Sequence, residues 1–151
     1  MVPFLLAGEF GLSSVGVGAV VTAAMATSFA VSLLSGRLVR RVPNVTLLGV
    51  GHACYAVGMA GVWLAGSPLA VAGAVVVHGA GVGLSLPAVD AAISERTAPE
   101  TRAGALGLRV STSFAGRTLG PVAFAALGGM DALLGGVGIA VLGLVAVVGG
   151  R

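Results

Sequence analysis

Apolar residues in this chain run in long unbroken stretches rather than in alternation with polar ones. Residues 15–34 (VGVGAVVTAAMATSFAVSLL) hold no charge, and residues 45–65 hold only His52, Cys54 and Tyr55 as ionisable groups. Residues 69–89 are interrupted only by His78 and Pro87. A helix crossing about 30 Å of hydrocarbon needs roughly 20 apolar residues, so each run predicts a membrane-spanning helix. Strict alternation would have pointed to a β-barrel; runs of this length are the helical pattern. Residues 104–127 predict a fourth span in spite of Arg109 and Arg117, and residues 132–149 a fifth, short and rich in glycine. The expectation is an all-α membrane protein of about five transmembrane helices, forming one bundle over residues 1–151. Residues 2–7 are apolar but too short to cross, and no basic region marks them as a signal peptide.

The breaks between runs fit helices. Gly66-Ser67-Pro68 leaves room for only a turn, which predicts a tight helical hairpin. Thr97-Ala98-Pro99-Glu100 has the Thr/Glu spacing of a capping box with Pro in the first turn, which predicts a helix start. Arginines mark one side of the membrane. Arg37, Arg40 and Arg41 fall between the first and second spans, Arg96 and Arg102 between the third and fourth, and Arg151 after the fifth. The opposite side holds Glu9, the Gly66-Ser67-Pro68 turn and Asp131. The positive-inside rule then places the basic loops in the cytoplasm, the N-terminus outside and the C-terminus inside, in a multi-pass plasma-membrane protein. Trp63, at the outer end of the second span, suits an interfacial aromatic position.

Composition sharpens this picture. The chain has 151 residues, 57% apolar and 9% charged, against about 25% charged in soluble domains. That excludes a soluble enzyme, a nucleic-acid binder and a disordered tail. The net charge of +3 arises from eight Arg against five acids, with no Lys, and the Arg positions make it a topology signal rather than a nucleic-acid footprint. Cys54 is the single cysteine, so no disulfide forms within the chain.

Charged groups inside a bilayer cost about 2.5–3.5 kcal/mol each and mark candidate functional positions. Arg117 lies fifteen residues beyond Arg102, about 22 Å along a helix, too deep to reach the cytoplasmic surface easily. Ser113 and Pro121 flank it at i−4 and i+4, and Gly116 and Gly120 form a small-xxx-small pair beside it. Arg117, with Ser113, reads as a contact for substrate, anion or proton coupling, or as a structural cation bonded to carbonyls of a neighbouring helix. His78 falls about 15 Å from Pro68, near the midplane, and reads as a proton relay or as a neutral imidazole bonded across helices. His52 shares a face with Tyr55 and Met59 and reads as packing. Arg109 lies near the inner interface and reads as a structural, snorkelling cation. Asp90, one turn past Pro87, is placed to pair with an Arg of either cytoplasmic loop, so Asp90, Arg37, Arg40 and Arg41 form a candidate cytoplasmic gate. Glu95, Arg96, Glu100 and Arg102 read as a solvated loop network. Gly79-Ala80-Gly81-Val82-Gly83 lies inside an apolar run and lacks a following Lys, so it predicts a helix-packing face rather than a phosphate loop. No metal-ligand spacing or nucleophile motif is present, so neither catalysis nor a cofactor is expected.

The order of these motifs resembles the C-terminal half of a major facilitator superfamily transporter. Ser35-Gly36-Arg37-Leu38-Val39-Arg40-Arg41 resembles the basic loop between family helices eight and nine, although the family's Asp is replaced by Arg40. Gly81 to Asp90, continued by Ile93-Ser94-Glu95-Arg96, is similar to the end of helix ten, and Pro99 to Gly107 to the entry of helix eleven. Arg117-Thr118-Leu119-Gly120-Pro121 resembles the Arg-x-x-Gly-Pro pattern within that helix, and residues 2–13 the end of helix seven and its exit loop. The resemblance implies transport of a small molecule by a secondary transporter, by proton-coupled efflux, with this chain a truncated portion of family helices 8–12. Alternating access needs two bundles around a central site, so an N-terminal transporter half or a second copy is the expected partner, besides the lipid bilayer and the substrate. The alternative is a small standalone membrane protein that packs its helices against another subunit.

Overall fold

The computed structural model describes residues 2–126 and 131–149. Six helices follow one another: α1 (Val2–Gly8), α2 (Ser14–Leu38), α3 (Asn44–Leu64), α4 (Pro68–Arg96), α5 (Pro99–Ala126) and α6 (Asp131–Gly149). Each of the first three apolar runs lies within one helix, give or take a terminal residue. The helices overrun the runs at the arginine-rich end, where α2 extends to Leu38 and α4 to Arg96. Leu127, the end of the fourth run, and Arg151 lie outside the described residues.

Length and apolar content qualify α2, α3 and α4 as membrane-crossing among the described residues. All three are apolar around their whole circumference, the pattern of a helix surrounded by other helices and lipid. Their outward side chains are large and bare: Phe29 is 67% exposed, Leu64 71% and Leu69 83%. A surface of this kind has no place in water. α5, which carries Glu100, Arg102, Arg109 and Arg117 along its length, is not among these three, and the count of about five spans stays approximate. The 19 residues of α6 reach about 28 Å.

Helix α4 is the hub, with α2 on one side and α3 on the other. Its alternating glycines explain how. Gly79 and Gly83, one turn apart, meet the Ala24 and Ser28 carbonyl oxygens of α2 so closely that a Cβ at either would collide with them. Gly81 faces the other way, where a Cβ would lie 2.8 Å from the Gly51 carbonyl oxygen and 2.9 Å from Cys54 Cβ on α3. On α3, Gly58 leaves the space that His78 occupies, since its own Cβ would sit 2.7 Å from His78 Cβ. Apolar burial gains little between helices already in lipid, so close backbone approach is what holds such a bundle. The packing face expected from Gly79-Ala80-Gly81-Val82-Gly83 is therefore two faces.

One end is closed by α1. Leu6 is fully buried against Val62, Val71 and Val75, and Leu12 N–H donates to Leu6 O at 3.0 Å where the chain turns back. Gly11 makes that turn with φ +62°, a conformation that favours glycine. The hairpin at Gly66-Ser67-Pro68 is built as its residues predict. Ser67 caps α4 by accepting a hydrogen bond from Ala70 N–H at 3.3 Å, with Pro68 at the first helical position.

The next turn departs from expectation. α5 does begin at Pro99, but the Thr97 hydroxyl donates backwards to Ile93 O and closes α4. The first turn of α5 is instead bound to Ala98 O, which accepts from Thr101 and Arg102 N–H, each at 3.0 Å. A Thr that follows a long helix can satisfy a C-terminal carbonyl as readily as a capping site.

Candidate functional site

Two polar constellations are built onto this frame. The first lies where α4 meets α5. Arg109 on α5 donates from Nη2 to Asp90 Oδ2 at 3.0 Å, and its Nε lies 2.8 Å from Asp90 Oδ1, off the line of a good hydrogen bond. This corrects the pairing expected for Asp90. Its partner is Arg109, nineteen residues on, and not an Arg of the cytoplasmic loops. Arg37, Arg40 and Arg41 are exposed at the end of α2 and in the turn after it. Arg109, read as a snorkelling cation, is instead one half of an inter-helix pair. Glu95 also has a partner away from the loop network, accepting from Asn44 Nδ2 at 3.1 Å.

From Arg109 a polar stripe climbs α5 in steps of one turn, through Ser113 to Arg117. Such i, i+4 spacing keeps the three on neighbouring parts of one face. Ser113 Oγ donates to Arg109 O at 3.0 Å, so its hydroxyl is satisfied within the helix. Arg117 is exposed, with its guanidinium carbon 5.9 Å from the centre of the Phe114 ring. Gly116 and Gly120, expected to press on a neighbour, have open space around them. α5 packs on α4, and among the described residues nothing lies within 4 Å of a Cβ at Gly116 or Gly120, on either side of Arg117.

The second constellation lies on the far side of α4. Tyr55 on α3 has its ring centre 5.6 Å from that of His52 and 5.1 Å from that of His78 on α4. His52 Nδ1 donates to Leu48 O at 2.8 Å. These rings line an open cleft of about 530 Å³, closed on its other side by Ile139 and Ala140 of α6. α6 rests on α3 by setting Gly143 against the His52 ring and Gly136 against Met59. Buried Ser85 faces Tyr55 without closing a hydrogen bond. His52, Tyr55 and Met59 share a face, as their spacing predicts; that His78 joins them from α4 was not legible in the spacing. Among the described residues no three His, Cys, Asp or Glu side chains converge as a metal site would need.

The predicted site residues thus fall into separate places. Ser113 and Arg117 stand together on α5, His78 faces α3, and Asp90 joins α4 to α5 through Arg109. The three loop arginines lie apart from these, exposed at the end of α2 and in the turn that leads to α3.

Membrane-crossing helices packed through glycine, with an arginine-bearing helix held beside them by an ion pair, define a multi-pass integral membrane protein. The sequence profile of the Major Facilitator Superfamily matches residues 1–150, and the chain belongs to that family. It is of the transporter type, and the resemblance seen in the loop and helix-eleven motifs holds across the chain. No curated protein sequence matches it.

Proposed function

We propose that α4 and α5 form one wall of the path by which a small molecule crosses the plasma membrane, with Arg117 and Ser113 facing that path. The observation that carries this reading is exposed Arg117, at the far end of the polar stripe of α5. A cation about 12 Å deeper than Arg109 along the helix needs a polar cavity or a partner, because lipid offers neither. In this reading a second helical bundle, an N-terminal transporter half or a second copy, supplies the facing wall and seats itself on Gly116 and Gly120. Asp90 and Arg109 close the basic end, and Arg37, Arg40 and Arg41 lie in the cytoplasm beside it. His78, the ionisable side chain within the apolar part of α4, serves proton coupling rather than substrate contact, since it faces α3 and not α5. Transport is then proton-coupled efflux, with the N-terminus outside and the C-terminus inside.

The test is uptake into inverted vesicles that carry this chain together with a matching N-terminal half. Arg117→Ala should lower transport by about ten- to a hundredfold, the worth of a charge-assisted hydrogen bond, with expression unchanged. Transport indifferent to both Arg117→Ala and Ser113→Ala would remove α5 from the path.

A further inference from the structure

The cleft between α3, α4 and α6 has a chemistry of its own, on the side of α4 turned away from α5. Its residues fall around the middle of their helices: His52 to Met59 on α3, His78 and Val82 on α4, Gly136 to Gly143 on α6. Since α3 and α4 are long and apolar enough to cross a membrane, an open cleft at that depth draws its occupant from the hydrocarbon. Its volume of about 530 Å³ suits a ligand of one or two rings. Apolar contact does not select that ligand, because the surrounding lipid is as apolar as Val82, Ile139 and Ala140. Selection falls to what the cleft holds and lipid lacks.

The first such feature is aromatic. The rings of His52 and His78 stand 5.6 and 5.1 Å from that of Tyr55, one edge-on and one tilted, an arrangement that admits a further ring. The thioether of Met59, on the same wall, also favours a ring. The second is hydrogen bonding. Among the described residues the Tyr55 hydroxyl and the His78 ring nitrogens close no hydrogen bond, and none of these atoms is sealed from the surface. A Tyr55 hydroxyl that donates into the cleft keeps lone pairs for buried Ser85, whose Oγ otherwise has no partner. The third is charge. Among the described residues no Asp, Glu, Lys or Arg borders the cleft, so a carboxylate or an ammonium would enter it unpaired. A fatty alcohol lacks the ring, and a plain arene lacks the polar group. We propose that the cleft binds a neutral, lipophilic phenol from the membrane, whose hydroxyl accepts from Tyr55 and donates to His78 while its ring packs among theirs.

The test photolabels the purified full chain, in dodecyl maltoside micelles near neutral pH, with a diazirine-bearing phenol, and maps the adducts by peptide mass spectrometry. Adducts should concentrate on cleft residues such as Met59 and Ile139. Naphthol should displace the label about fivefold more effectively than naphthalene, the worth of one neutral hydrogen bond. Decanol and naphthoate should compete as poorly as naphthalene. Tyr55→Phe should erase the advantage of naphthol and leave competition by naphthalene unchanged, a pattern that a damaged fold would not give. Val82→Phe fills the cleft and should cut labelling about tenfold. Val57→Phe adds similar bulk on the exposed face of α3, outside the cleft, and should not. Should Val82→Phe lose helix by circular dichroism, Tyr55→Phe, which removes one oxygen, carries the reading instead. Adducts spread over the exposed helix faces, naphthalene, decanol or naphthoate competing as well as naphthol, or a Tyr55→Phe chain that still prefers naphthol would each overturn the proposal.

Discussion

Arg109 and Asp90 are nineteen residues apart in sequence, on different helices, yet their side chains meet at two points, Nη2 to Oδ2 and Nε to Oδ1. Both remain partly exposed, at 22% and 41% of their side-chain surface, so solvent and salt screen the pair. A double-mutant cycle with Asp90→Asn and Arg109→Gln should give a coupling of about 1 kcal/mol or less in detergent. The larger readout is geometry. Either single change should widen the distance between spin labels on α4 and α5, and the swap Asp90→Arg with Arg109→Asp should restore it.

The glycines of α4 should not be interchangeable with those of α5. Gly83→Val drives a side chain into the Ser28 carbonyl and Val31, and Gly79→Leu into the Ala24 carbonyl. Each should destabilise the bundle by about 1–3 kcal/mol, the usual cost of overpacking. Gly104→Ala and Gly107→Ala meet nothing within 4 Å and should be neutral, or stabilising by up to about 1 kcal/mol through helix propensity. Thermal unfolding followed by far-ultraviolet dichroism separates the two groups.

Ser67→Ala removes the cap that binds Ala70 N–H and should cost about 1 kcal/mol. Ser67→Asp, which can cap equally well, should recover it. The same thermal assay reads both.

Arg117→Ala should leave stability within about 0.5 kcal/mol, because Arg117 is exposed and its recorded ring contact is with Phe114 of its own helix. A loss of transport without a loss of stability is the signature of a side chain that faces the path. A Tm shift of many degrees would mark Arg117 as structural instead.

Reporter fusions test the orientation. A reporter active only in the cytoplasm should be silent on the N-terminus and active when inserted after Arg41. The reverse pattern would turn the bundle over.

Much of this architecture is written in local pattern. The uncharged stretch of residues 15–34 needs no partner to be recognised as a span. Gly66-Ser67-Pro68 states its hairpin in three residues, and the odd-numbered glycines from 79 to 83 announce close packing. What local pattern leaves out is which side chains meet across helices. Asp90 had arginines nearby in both loops and found Arg109, because helix geometry places that residue one turn below Ser113 on the face turned to α4. The joining of His78 to Tyr55 depends on the gap left by Gly58, a contact between residues twenty apart. Thr97 illustrates the remaining ambiguity, since one hydroxyl between two helices can serve only one of them.

The two-sided glycine seating of α4 has a mechanical consequence. With backbone against backbone on both flanks, α2, α3 and α4 have no slack in which to slide, and they must travel as a single block. The joint at Ala98 and Pro99, with the Asp90–Arg109 pair beyond it, leaves α5 the lever of this assembly.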